Sequence, residues 1–309
     1  MSATRLTAAE TAALTRRITL LSVAVAAVLV AIKAAAWVAS GSTALLASMA
    51  DSALDLVASL VTAFAVRFAA SPPDAGHRFG HGKAEPFASL LQAGLVFASA
   101  ALVLREAVTA FLDPQPVQHG GWAMAVMAVS IVLTGGLVAA QTRMLRRVSS
   151  VAVAGDRAHY FSDLASNAVA LLGIGAAAIL GVSHFDAIAA VIVAGLLLWS
   201  AVGVFREAAY QLMDHEMPDE TRAEIVALVR ADPQVLGVHQ LRTRAAGPIL
   251  YIQMHVDLDP GMTLEAAHAV ILAAEHRLME AFPLADIIIH GDPQGRAEIH
   301  PEPFSPEPS

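Results

Sequence analysis

The chain has 309 residues, of which 56% are hydrophobic and 15% charged, against about 25% charged in ordinary soluble domains. A formal charge of −8 argues against a nucleic-acid partner, which needs a basic face. Cysteine is absent, which excludes disulfides, thiolate metal sites and cysteine nucleophiles. Any metal site must therefore be built from carboxylates, water and some of the 12 His residues. The charge is unevenly spread, with net +2 over residues 1–213 and net −10 over 214–309. We read a six-span transmembrane domain (1–213), a water-exposed domain (214–296) and a Pro- and Glu-rich disordered tail (297–309).

Six apolar segments approach the roughly 20 residues needed to cross a hydrocarbon core. They run over 18–40, 43–69, 86–110, 121–143, 151–180 and 186–210. Breaks such as Gly41-Ser42, Ser71-Pro72-Pro73, Pro114 with Pro116, and Gly181 separate them. The first reads as a retained span and not a signal peptide, because no small-residue cleavage site follows and Lys33 interrupts it. Arg5, Arg16 and Arg17, then Arg67, Arg78 and Lys83, then Arg143, Arg146, Arg147 and Arg157 all fall on one side. The alternate connections carry no Lys or Arg, so both termini are expected in the cytoplasm. Lys33 and Arg105 lie in the outer halves of their spans, where they can snorkel to the surface.

The second span carries Asp51 and Asp55, four residues apart and so on one helix face. The fifth repeats that spacing with His159 and Asp163. Ionisable groups at this depth cost several kcal/mol each, on the order of 2.5–3.5 on the lower scales. At 1.5 Å per residue, Asp51 and Asp55 lie roughly 12 and 18 Å from the outer end of their span. His159 and Asp163 lie roughly 14 and 20 Å from the inner end of theirs. Across a core of about 30 Å, Asp55 comes level with His159 and Asp51 with Asp163. Adjacent helices would then close a cage of three carboxylates and one imidazole, which suits a divalent ion such as Zn²⁺. The plainer alternative is a set of interhelical hydrogen bonds.

Between the second and third spans, Asp74-Ala75-Gly76-His77-Arg78-Phe79-Gly80-His81-Gly82-Lys83-Ala84-Glu85 puts one carboxylate and two His on a Gly-rich turn. It is either a metal loop or a turn with solvated His. Beyond 213, Pro218-Asp219-Glu220 opens a helix running to about Arg230. Strands follow near 236–244 and 249–258, then a helix over 263–281 and a strand at 287–289. In the second strand Leu250, Ile252, Met254, Val256 and Leu258 alternate with Tyr251, Gln253, His255 and Asp257. The expected fold class is a six-helix membrane protein with a C-terminal αββαβ domain.

Together these residues resemble the cation diffusion facilitator family, in particular its bacterial ferrous-iron/zinc efflux branch, over about residues 14–293. The most specific matches are Asp51/Asp55, His159/Asp163 and the Asp74–Glu85 loop. The resemblance implies a homodimer joined through a metallochaperone-like cytoplasmic domain, in a bacterial inner membrane. Asp51, Asp55, His159 and Asp163 would form the transport site, and Asp74, His77 and His81 a loop site. In the cytoplasmic domain, His239 and His255 would hold one Zn²⁺ and His268 and His290 a second, with Asp292 shared. Lys83 and Asp214 match positions that pair at the domain junction. The fourth-to-fifth connection, Leu145-Arg146-Arg147-Val148-Ser149, lacks the long His-rich segment of many eukaryotic members. Asp at 51, where many zinc-selective relatives carry His, makes the cage more permissive to Fe²⁺, Cd²⁺ or Co²⁺.

The implied activity is export of the divalent ion in exchange for protons, by alternating access. Two competing classes are a metal-responsive sensor or scaffold without flux and a proton-coupled transporter of organic cations. The second leaves the His residues unexplained. No nucleophile–base set or nucleotide-binding loop supports an enzyme.

Overall fold

The computed structural model describes residues 6–41, 43–112, 121–180 and 184–296. The connection 113–120 and the expected tail 297–309 lie outside the described residues. Two compact units divide the chain after Met213.

The first unit is a bundle of α1 (Ala8–Ser40), α2 (Thr43–Ala69), α3 (Ala84–Leu112), α4 (Gly121–Leu145), α5 (Val151–Leu180) and α6 (His184–Leu212). Among the described residues, five of these (α1–α4 and α6) are long and apolar enough to cross a membrane. The remaining helix, α5, is as long at 30 residues but carries Asp156, Arg157, His159 and Asp163 in its first half. One boundary differs from the sequence reading. Helix α1 starts about ten residues before the expected 18, because Thr11, Thr15, Thr19 and Ser22 form a buried stripe. The hydroxyls of Thr15, Thr19 and Ser22 donate to backbone carbonyls one turn back, as Thr15 Oγ1 does to Thr11 O at 2.9 Å. A polar but small face therefore packs as an apolar one would.

Small residues set the helix spacing. Val96 and Ala100 of α3 pack on Leu197 and Ala201 of α6. Helix α5 approaches α3 through Gly155, where a Cβ would fall 2.9 Å from Ser89 Oγ and 3.1 Å from Ser89 Cα. That approach brings the neighbouring Asp156, fully buried, into a knot of amides. Gln92 Nε2 of α3 donates to Asp156 Oδ1 at 3.2 Å, and Gln141 Nε2 of α4 donates to Oδ2 at 2.8 Å. Gln141 Nε2 also reaches Ser22 Oγ of α1 at 3.1 Å, and Ser59 Oγ of α2 sits 2.6 Å from Tyr160 Oη. Five helices thus meet one turn before His159. At the start of α5, Ser150 Oγ donates to Glu85 Oε2 of α3 at 2.6 Å, and Glu85 also accepts the backbone N–H groups of Val151 and Ala152. A carboxylate on the positive end of the helix dipole fixes where α5 begins.

The second unit is α7 (Asp219–Val229), β1 (Gly237–Ala246), β2 (Ile249–Leu258), α8 (Leu264–Ala281) and β3 (Ala285–Pro293), the expected αββαβ order. The sheet order is β1-β2-β3, with β3 parallel to β2, which is what a crossover through α8 allows. Gly247 takes φ +58° in the β1–β2 turn, a left-handed conformation that favours glycine. Ile252, Met254, Val256 and Leu258 face a core completed by Ile225 and Val229 of α7 and Val270, Ala274 and Leu278 of α8. Thr263 caps α8, its hydroxyl accepting from Ala266 N at 3.2 Å. The opposite face of β2 is left for polar chemistry.

Asp156→Ala leaves the buried amides of Gln92 and Gln141 short of an acceptor, an expected cost of about 1–3 kcal/mol. The thermal midpoint of the detergent-solubilised protein falls accordingly, and an unchanged midpoint contradicts the role of the knot.

Candidate metal centres

Three groups of His and carboxylate ligand atoms converge among the described residues, each with its atoms within 4.8 Å of one another. The first lies between α2 and α5. Asp55 Oδ1 is 2.9 Å from His159 Nε2, and Asp163 Oδ2 is 3.7 Å from the same nitrogen. Asp55 and His159 are buried. Asp163 Oδ2 is itself buried without a hydrogen-bond partner, an unusual condition for a carboxylate oxygen. The level match of Asp55 with His159 expected from depth therefore appears as direct contact. Asp51, one turn before Asp55, stays exposed and outside the three-ligand group. It remains within electrostatic reach of Asp55 and His159.

Lys33 does not snorkel. It is buried at 7% exposure, with Nζ 2.6 Å from Ser52 Oγ and 3.2 Å from Ser48 O on α2. Outward extension would break both bonds. Arg105, by contrast, is exposed.

The second group is Asp74, His77 and His81, in the connection before α3. The backbone N–H groups of His77 (2.7 Å) and Gly76 (2.8 Å) donate to Asp74 Oδ1, folding the segment into an Asx turn. Gly80, at φ +76°, reverses the chain so that His81 Nε2 lies 3.3 Å from Asp74 Oδ2. His77 Nδ1 lies 3.2 Å from Oδ1. Asp74 and His77 are exposed, whereas His81 is buried against Phe68 with its Nδ1 unpartnered. The His77 N–H, then that of Gly76, holds the Asp74 carboxyl below its ordinary value.

The third group, His239, His255 and Asp292, is on the polar face of the second unit's sheet, with His290 beside it. Asp292 Oδ2 lies 2.8 Å from His255 Nδ1 and 3.3 Å from His239 Nε2, while its Oδ1 is 3.2 Å from His290 Nε2. Register explains the convergence. His255 pairs with His290 and Asp257 with Asp292 across the parallel strands, so all four project from one face. Asp257 Oδ1 also lies 3.6 Å from His239 Nε2. It is a ligand-distance residue absent from the sequence-based assignment, although its alternation with His255 was the signal for it. His268 sits exposed on α8, outside this group. Lys83 Nζ donates to Leu212 O at 3.4 Å, and Asp214 accepts from Arg244 at 3.0 Å.

Imidazole and carboxylate oxygen converging without thiolate is a donor set for borderline divalent ions. One such set inside an apolar helical bundle marks a membrane protein that handles metal cations. The comparisons with known proteins agree. The cation efflux transmembrane domain matches residues 19–213, and the cytoplasmic domain of cation efflux proteins matches 217–294. The cation-efflux pump FieF of Shewanella oneidensis is 40% identical over 88% of this chain and 92% of its own. FieF of Klebsiella pneumoniae is 36% identical over 91% of this chain and 93% of its own. A solved chain of CzrB in a zinc form is 30% identical over 27% of this chain and 96% of its own, with a TM-score of 0.26.

The chain belongs to the cation diffusion facilitator (cation efflux) family. It is a multi-pass cation efflux transporter.

The depressed Asp74 value carries a sign. Its contribution to loop order is complete above the ordinary aspartate pKa and is lost as pH falls through the lower folded value. The Asp74 carboxyl resonance in carbon-13 spectra is expected to titrate below about 3.9, and a midpoint at or above that contradicts the Asx turn.

Proposed function

We propose that this transporter exchanges a cytoplasmic divalent cation for protons by alternating access, with Zn²⁺ as the principal cargo and Fe²⁺, Cd²⁺ and Co²⁺ as further ones. The observation that carries the reading is the convergence of Asp55, His159 and Asp163 around one imidazole nitrogen inside the bundle. Asp51, on the same face of α2, is the fourth ligand, brought inward when the ion binds. An ion and protons compete for these same atoms, so loading and protonation exclude each other. Alternating exposure of one site to two compartments then couples the two fluxes.

Both termini lie on the cytoplasmic side of a bacterial inner membrane, a topology supported by the Lys- and Arg-bearing connections. On that side stand the two other clusters. Asp74, His77 and His81 bind metal at the mouth of the pathway. His239, His255, His290 and Asp292 bind metal on the sheet of the cytoplasmic domain, joined by His268 when two copies pair into the homodimer. Two acidic domains, each within the net −10 segment, repel one another until divalent ions offset their charge. Metal concentration thereby sets the readiness of the pump.

The test is Zn²⁺ flux into proteoliposomes under an imposed pH gradient. Wild type is expected to move Zn²⁺ against protons, His159→Ala to lose at least about 100-fold in rate, about 2.7 kcal/mol of barrier, and Asp51→Ala to lose a comparable part. Zn²⁺ binding without proton-linked flux would favour a sensor and sink the transport reading. Normal flux in His159→Ala moves the site elsewhere.

A further inference from the structure

A buried lysine anchored beside Asp51 and Asp55 in the chain needs a reason, since burying an ammonium without a partner is costly. Lys33 reaches from α1 into α2, where Ser48 O and Ser52 Oγ accept its hydrogen bonds. Both acceptors are uncharged, so neither neutralises it. Ser52 stands between Asp51 and Asp55, so the ammonium is anchored on the one stretch of α2 that carries both carboxylates. Its charge acts on Asp51 and, across the site on α5, on Asp163.

Charge arithmetic follows from those residues. Asp51, Asp55 and Asp163 bring three negative charges and His159, as a ligand, none. A divalent ion alone leaves an excess negative charge inside an apolar bundle. With Lys33 the loaded site, the ion and its four ligands, sums to zero, Asp156 being held apart by its own amide donors. A monovalent cation leaves it negative and a trivalent one positive, both penalised at low dielectric. We propose that Lys33 is a built-in counter-charge of the transport site: it matches the loaded site to a divalent ion and weakens binding enough for the ion to leave. Lys33 is a positioning and specificity residue here, touching no ion itself. The inference rests on the reading that Asp55, His159 and Asp163 bind the cargo.

The sign of one measurement separates this role from a structural one. Zn²⁺ binding is measured on the full-length protein in detergent at about pH 8, where protons compete least with His. Asp74→Ala and His255→Ala are present throughout to disable the other two clusters. Lys33→Met removes charge and hydrogen bonds, Lys33→Gln keeps a donor without the charge, and Lys33→Arg keeps the charge. Lys33→Met and Lys33→Gln are expected to tighten Zn²⁺ binding by at least about tenfold, with Lys33→Arg within about threefold of the parent. In proteoliposomes the neutral variants then saturate at lower Zn²⁺ and turn over more slowly, because release is impeded.

Unchanged affinity in both neutral variants means the lysine is uncharged or unfelt, and overturns the proposal. Weakened or lost binding in both neutral variants assigns Lys33 to holding α1 against α2, and overturns it equally. The underlying site is tested separately by His159→Ala in the same background. If that variant binds Zn²⁺ as tightly as its parent, the cargo site is misplaced, whatever the Lys33 variants do.

Discussion

The bundle is governed by the cost of placing carboxylates where water is absent. Each buried acid must find donors or a counter-charge, and the way each does so determines the architecture around it. Asp156 is held by the amides of Gln92 and Gln141. Glu85 is held by Ser150 and by the opening N–H groups of α5. Asp55 is held by His159. Asp163 Oδ2 lies 3.7 Å from His159 Nε2 and has no hydrogen-bond partner. The first two contacts lock the near half of α5 in rotation and height. The third then falls in place, and the fourth is left without a hydrogen bond. The hydrogen bonds of Asp156 and Glu85 thus fix the helices around the cluster of Asp55, His159 and Asp163.

Much of this was readable in the sequence, for definable reasons. Apolar length, Gly/Pro breaks and the period-two alternation of β2 each report on one segment alone, and they located the helices and the αββαβ domain. The pairing of Asp55 with His159 was accessible because rise per residue converts position into depth. Other contacts depend on the rotation of one helix against another, which no single segment encodes. Nothing in the sequence of α5 sets Asp156 apart, because the glutamines that hold it come from α3 and α4. Lys33 looked like a surface-seeking cation because its acceptors, Ser48 O and Ser52 Oγ, are unremarkable in the sequence of α2. Asp257 was correctly placed on the polar face, yet its proximity to His239 depends on how β1 lies beside β2.

The three clusters differ in what surrounds the ligands, and the differences suit separate tasks. The bundle cluster lies between helices, with Asp55 and His159 buried and one carboxylate oxygen without a hydrogen-bond partner. The loop cluster has two exposed ligands and one buried one on a turn held by its own backbone, so an ion can reach it from water. The sheet cluster shares one carboxylate among three imidazoles, so Asp292 is a common hub, and any ion gathered there draws on residues from all three strands.

The parallel pairing of β2 with β3 has a further consequence. Val256 sits between His255 and Asp257, and Gly291 between His290 and Asp292, so the residues that build the core and those that gather imidazoles alternate along the same strands. A slip of one residue would bury the imidazoles and expose the core at a stroke. Hydrophobic packing and ligand geometry are therefore two readings of one alignment, and an ion held across β2 and β3 is a clasp on the register of the sheet itself.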